Sequence, residues 1–114
     1  MKNTWRFKGN ELKYLKEVIG SGEFSSTSGD MNKRLEAAFC EKYGSKYAVT
    51  FNSGTSTLHA SLVAANIGYG DEVIQPALTV ISNLQSTLAV NAVPVFADID
   101  LDTFNIDVEI LKRK

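Results

Sequence analysis

Three short apolar runs, at residues 47–51, 72–75 and 93–99, alternate with two helix-length segments at 57–66 and 79–90. Parallel strands can only be joined by a long crossover, usually a helix, so this order predicts βαβ units and an α/β fold built on a parallel-type sheet. Nearly all such crossovers are right-handed, which gathers the loops after the strands at the carboxyl edge of the sheet. Open α/β sheets bind their ligands there. Residues 53–56, 77–82 and 98–102 are therefore expected on one rim.

The first of those loops carries the most chemistry. Asn52-Ser53-Gly54-Thr55-Ser56 stands between the apolar run Tyr47-Ala48-Val49-Thr50-Phe51 and the first helical pattern. A strand that turns at once into a helix aims unpaired backbone N–H groups, and the positive end of the helix dipole, at one spot. Gly54 leaves room for an anion to approach the backbone, and the hydroxyls of Ser53, Thr55 and Ser56 add donors. The same residues also suit an ordinary capped turn. A nucleotide P-loop is disfavoured, because no Gly-Lys-Ser/Thr closes the loop.

Upstream, Leu12, Leu15, Val18 and Ile19 recur at helical spacing within residues 8–20, with Gly20 and Gly22 as the stop. Residues 23–30 read as a polar loop. Asp30 is the expected N-cap of a helix over 31–43, with the stripe Met31, Leu35, Ala38, Phe39 and Tyr43 and the stop Gly44. Cys40 lies beside that stripe as a packing residue. Leu58, Leu62 and Ala65 give the next helix an expected buried face, with Gly68 and Gly70 at its exit, and His59 reads as a packing or surface position. Asp98, Asp100 and Asp102 lack the glycine and terminal glutamate of a calcium loop and read as turn residues. Asp107 is the expected cap of a final helix starting at Val108, and the chain is expected to stop short within it.

Composition narrows the partners. Twelve basic and 13 acidic residues are scattered along 114 positions, which argues against a nucleic-acid or anionic-membrane surface. No apolar run approaches a membrane span and the first residues lack the core of a signal peptide, so a cytoplasmic address is the default expectation. One cysteine and one histidine exclude a Cys/His zinc site, and no metal is expected.

Several segments, in order, resemble the DegT/StrS-type sugar aminotransferases, pyridoxal-phosphate enzymes of fold type I. They are Ser25-Ser26-Thr27-Ser28-Gly29-Asp30 with the helix to Tyr43-Gly44, and Tyr47-Ala48-Val49 through Asn52-Ser53-Gly54-Thr55 with Leu58-His59. Gly70-Asp71-Glu72-Val73-Ile74-Gln75-Pro76 with Thr79 follows, then Pro94-Val95-Phe96-Ala97-Asp98-Ile99-Asp100 with Thr103-Phe104-Asn105-Ile106-Asp107. The resemblance covers nearly everything from Gly22 onwards. It implies an N-terminal helical segment at 1–22 and, at 23–114, the N-terminal part of the fold type I large domain, with a partial sheet.

By that resemblance Gly54 and Thr55 give backbone N–H groups to the phosphate of pyridoxal 5'-phosphate, Ser53 shapes the turn and Ser56 lies nearby. Thr79 and Val80 face the cofactor ring. The family commonly has an aromatic side chain where this sequence has Val80, which covers a ring by van der Waals contact without a π surface. Ser26, Thr27, Ser28 and Gly29 are implied to line a nucleotide-sugar pocket. The expected activity of the full-length relative is amino transfer from an amino acid to a nucleotide-linked keto sugar, in a homodimer, for surface polysaccharide or a glycosylated metabolite. Such enzymes need a Schiff-base lysine and an acid at the pyridine nitrogen. None of the nine lysines matches that lysine's context, and Lys46 precedes its strand. No catalytic residue is therefore assigned, and the chain is expected to be inactive alone. Two rivals stand beside this reading: a PLP-dependent sugar dehydratase of the same family, and a non-catalytic truncated remnant.

Overall fold

A computed structural model describes residues 9–112, except the side chain of Ile110. The chain divides after Thr50 into two units, each described by itself.

The first unit is a pair of helices. Helix α1 spans Glu11–Ser21 and ends on Gly22, and helix α2 spans Met31–Tyr43 and ends on Gly44. Both glycines adopt the left-handed conformation, with φ of 70° and 65°, which a Cβ would disfavour. Asp30 precedes α2, but its side chain caps no helical N–H. Its carboxylate pairs instead with Arg34 at 3.7 Å, and Arg34 also bonds Glu17 of α1. Those contacts, the Glu17 bond first, raise the Arg34 pKa. Between the helices runs an apolar groove of about 540 Å³, lined by Tyr14, Leu15, Val18, Met31, Leu35 and Ala38. No residue of either helix is buried, so both stripes of the sequence pattern are present but largely uncovered.

Residues 47–51, expected as a strand, form no ladder with any described residue. A strand exists only through its partner, and an apolar, β-branched run cannot supply one by itself. What does hold this segment is Glu36 of α2, whose carboxylate accepts bonds from the Thr50 amide at 2.8 Å and hydroxyl at 2.9 Å. The Thr50 amide bond, then the hydroxyl bond, lowers the Glu36 pKa.

The second unit holds one βαβ step rather than the two expected. Helix α3 spans Gly54–Ala64. Strand β1 (Glu72–Pro76) leads through helix α4 (Ser82–Ala89) to strand β2 (Val93–Ala97), which runs parallel to β1 in the register Glu72↔Val93 to Pro76↔Ala97. Gln75, Ser86, Thr87, Val90, Ala92 and Ala97 are buried. α3 begins at Gly54, three residues before its apolar periodicity, and its expected buried face is only partly covered. Leu62 is half-buried, while Leu58 and Ala65 are exposed.

Its stop is also earlier than Gly68. Asn66 adopts φ 60°, the Asn66 amide bonds the Val63 carbonyl and the Ile67 amide bonds Leu62, which is a Schellman closure with asparagine in place of glycine. Asn91 ends α4 identically, with its amide on Leu88 and that of Ala92 on Thr87.

Beyond β2 the chain folds back on itself. Ile99 forms an antiparallel bridge with Ile106, and the Asp100 carboxylate accepts from the amides of Asp102 and Thr103 and from the Thr103 hydroxyl. The Thr103 bonds are the main reason its pKa falls. Asp107 accepts from the Glu109 amide at 2.8 Å and opens helix α5 (Val108–Leu111), as a cap should.

Candidate functional site

The start of α3 is built by Ser53. With extended backbone, φ −158° and ψ 158°, its Oγ accepts from the Ser56 amide at 3.1 Å and its carbonyl accepts from the Thr57 amide at 3.1 Å. The amides of Gly54 and Thr55 have no acceptor among the described residues. They sit at the positive end of an 11-residue helix whose first turn holds no acidic side chain. A methyl group placed on Gly54 would meet no heavy atom within 4 Å, so the second unit leaves the space beside the turn unfilled. Two free amides, open space and a capping hydroxyl fit a phosphate ester.

The hydroxyls divide into spent and available ones. Thr57 donates to the Ser53 carbonyl and Ser61 to the Thr57 carbonyl. Ser53 and Ser56 share a hydroxyl–hydroxyl bond of 3.0 Å, and Thr55 shares one of 2.8 Å with Ser82. Each such pair owns two hydrogens and uses one, leaving one to offer a ligand.

The Thr55–Ser82 bond joins two of the loops expected on one rim, because Ser82 is the first residue of α4. Just before it, Thr79 accepts from the Asn83 side-chain amide at 2.9 Å, and the Val80 carbonyl accepts from the Asn83 backbone at 3.1 Å. Val80 itself is 68% exposed, so its side chain is free to cover a ligand. Residues 98–102 form the turn tied by Asp100, which starts beside the loop after β1, where the Ala77 amide donates to the Ala97 carbonyl at 3.1 Å. Ser82 was not singled out as a site residue from the sequence; the one available signal was a hydroxyl residue at the end of the loop that follows β1. His59 lies exposed on α3 and Cys40 is half-buried in α2. No cluster of three or more His, Cys, Asp or Glu able to hold a metal occurs among the described residues.

Ser26, Thr27, Ser28 and Gly29 belong to the first unit. There the loop closes on itself: the Ser25 hydroxyl bonds that of Thr27 at 2.7 Å and accepts from its amide, and the Gly29 amide donates to the Ser25 carbonyl at 2.8 Å. A Cβ on Gly29 would stand 3.1 Å from the Ser25 carbonyl oxygen and 3.2 Å from that of Glu23.

Comparison with known proteins finds aminotransferases and a dehydratase among the relatives of this chain. The chain matches an aminotransferase of Psychrobacter cryohalolentis at 34% identity and a TM-score of 0.87, over 97% of this chain and 28% of that one. It matches a protein described as a sugar aminotransferase of Streptococcus pneumoniae, in its PLP form, at 32% identity and TM-score 0.83, over 90% of this chain and 26% of that one. GDP-4-keto-6-deoxy-D-mannose-3-dehydratase of E. coli, with bound hydrated PLP, matches at 31% identity and TM-score 0.84, over 98% and 29%. The chain thus spans between a quarter and a third of the length of these relatives. A sequence model of one family matches residues 6–114, and with it the chain belongs to the DegT/DnrJ/EryC1/StrS aminotransferase family.

Proposed function

We propose that this chain carries the phosphate-binding turn of a PLP-dependent aminotransferase acting on a nucleotide-linked keto sugar. The observation that carries this reading is the pair of unpartnered amides, Gly54 and Thr55, at the start of α3. Those amides take the cofactor phosphate, Ser53 holds the turn in shape, and Ser56 and the Thr55 hydroxyl add donors. Thr79 fixes the loop after β1 through Asn83, and Val80 covers one face of the ring. When bound, the cofactor supplies an electron sink next to the reacting carbon. Ser26, Thr27, Ser28 and Gly29 contribute to the sugar pocket, and residues 23–114 form part of the large domain. An amino acid is the donor, the whole protein works as a cytoplasmic homodimer, and its product is an amino sugar for surface polysaccharide or a glycosylated metabolite. No described helix is long and apolar enough to cross a membrane.

The test is a titration of the labelled chain with pyridoxal phosphate, following amide resonances. Gly54 and Thr55 are expected to move most. Gly54→Pro removes one donor where proline is well tolerated, at the first helical position. Losing one hydrogen bond to a charged acceptor, worth about 1.5–3 kcal/mol, should weaken binding roughly 10- to 150-fold with little change in stability. Undiminished binding by the proline variant would sink the assignment.

A second reading, a PLP-dependent sugar dehydratase, is favoured by the E. coli dehydratase, which matches this chain about as closely as the Streptococcus pneumoniae aminotransferase does. Mass analysis of the product made by the whole protein separates them: gain of an amino group at the donor's expense, or loss of a hydroxyl group.

A further inference from the structure

We infer that Ser82 is a positioning residue for the phosphate-binding turn, acting through its 2.8 Å hydroxyl bond to Thr55. This inference rests on the phosphate reading of that turn. Thr55 has a free amide, but its hydroxyl can serve an anion only if its hydrogen is not already committed. Of the two hydrogens in the pair, one lies between the oxygens. When Ser82 donates to Thr55, the Thr55 hydrogen is released toward a bound anion; when Thr55 donates, it is withheld.

An anion therefore selects the direction in which Ser82 donates, and that bond holds the Thr55 oxygen in place while leaving its hydrogen to the anion. The pair is half-buried, so water competes for it less than at an exposed site. Ser82 also fixes the Thr55 rotamer from outside α3, since it begins α4, 27 residues further along the chain. No other hydroxyl among the described residues bonds that of Thr55: Thr57 and Ser61 donate to backbone carbonyls, and Ser53 and Ser56 pair with each other.

The experiment titrates the full chain and three variants with pyridoxal phosphate and, separately, with inorganic phosphate, reading the Gly54 and Thr55 amides. Ser82→Ala is expected to weaken both ligands about fivefold, the effect of losing one neutral hydrogen bond that orients the Thr55 hydroxyl. Ser82→Thr should restore binding to within about twofold, because the hydroxyl returns. In Thr55→Val, which keeps the amide, adding Ser82→Ala should cost nothing further, since the two residues act as one unit. Alanine at the start of α4 is a better helix former than serine, so the alanine variant folds. Equal affinity of Ser82→Ala and the parent, or full additivity with Thr55→Val, overturns the inference while leaving the phosphate turn standing. An absence of any response at Gly54 and Thr55 in the parent overturns both.

Discussion

The helix pair α1–α2 and the β1–α4–β2 unit both carry apolar residues at regular spacing, yet they differ in what they bury. The first unit's apolar stripes, Leu12, Leu15, Ile19, Leu35 and Phe39, stay exposed, and no residue of either helix is buried. In the second, Thr87 is 1% and Ala97 2% exposed. Helical periodicity marks which face could be covered. Burial depends on what lies opposite, and a crossover helix brings its own sheet whereas two short helices bring only each other.

The contrast can be broken by mutation. Ala97→Leu forces three extra carbons into β2 where it is closed by α4, and should cost about 1–3 kcal/mol in a denaturant titration. Leu15→Ala, at a position 57% exposed in the groove, should cost well under that, about 0.5 kcal/mol. Equal losses at the two sites would mean that the helix pair is covered in solution.

Gln75 sharpens the comparison further. Among the described residues it is 4% exposed, its Nε2 has no partner, and its Oε1 receives a 3.4 Å contact from Thr87. An unsatisfied buried donor costs about 1–3 kcal/mol, so Gln75→Met should stabilise the second unit by up to roughly 1 kcal/mol once the Thr87 contact is subtracted. A drop in melting temperature would show that the amide is satisfied by a group outside residues 9–112.

The smallest effect is expected in the first unit and depends on pH. The Thr50 bonds lower the Glu36 pKa below its unfolded value, so their contribution is present above the unfolded pKa and is lost as pH falls through the folded one. Glu36→Gln should lower stability slightly at neutral pH, leave it almost unchanged in acid, and so flatten the acid side of the stability curve. An unaltered acid limb would assign the acid sensitivity to Asp100, whose pKa is lowered by its Thr103 bonds.

Much of this was legible from residue types alone. The span of α2, the glycine stops at Gly22 and Gly44, the strand at 72–76 and the turn at Ser53–Gly54 follow from caps, periodicity and φ preferences, which are local. What escaped was set by partners. Residues 47–51 have strand composition but no neighbouring ladder. Asp30 forgoes capping because Arg34 stands one turn away, Asn66 stops α3 ahead of the expected Gly68, and Asn91 stops α4, for which no stop was foreseen. The Thr55–Ser82 bond spans 27 residues, a distance at which composition carries no information.

Gly29 has a consequence for how this loop can vary. A side chain there would press on two carbonyl oxygens, so a substitution at Gly29 requires the backbone around it to give by a few tenths of an ångström. Ser26, Thr27 and Ser28 carry exposed side chains on the same loop. Change that spares the loop's shape is therefore easiest at Ser26 and Ser28, whereas the Thr27 hydroxyl is itself part of the loop's closure through Ser25.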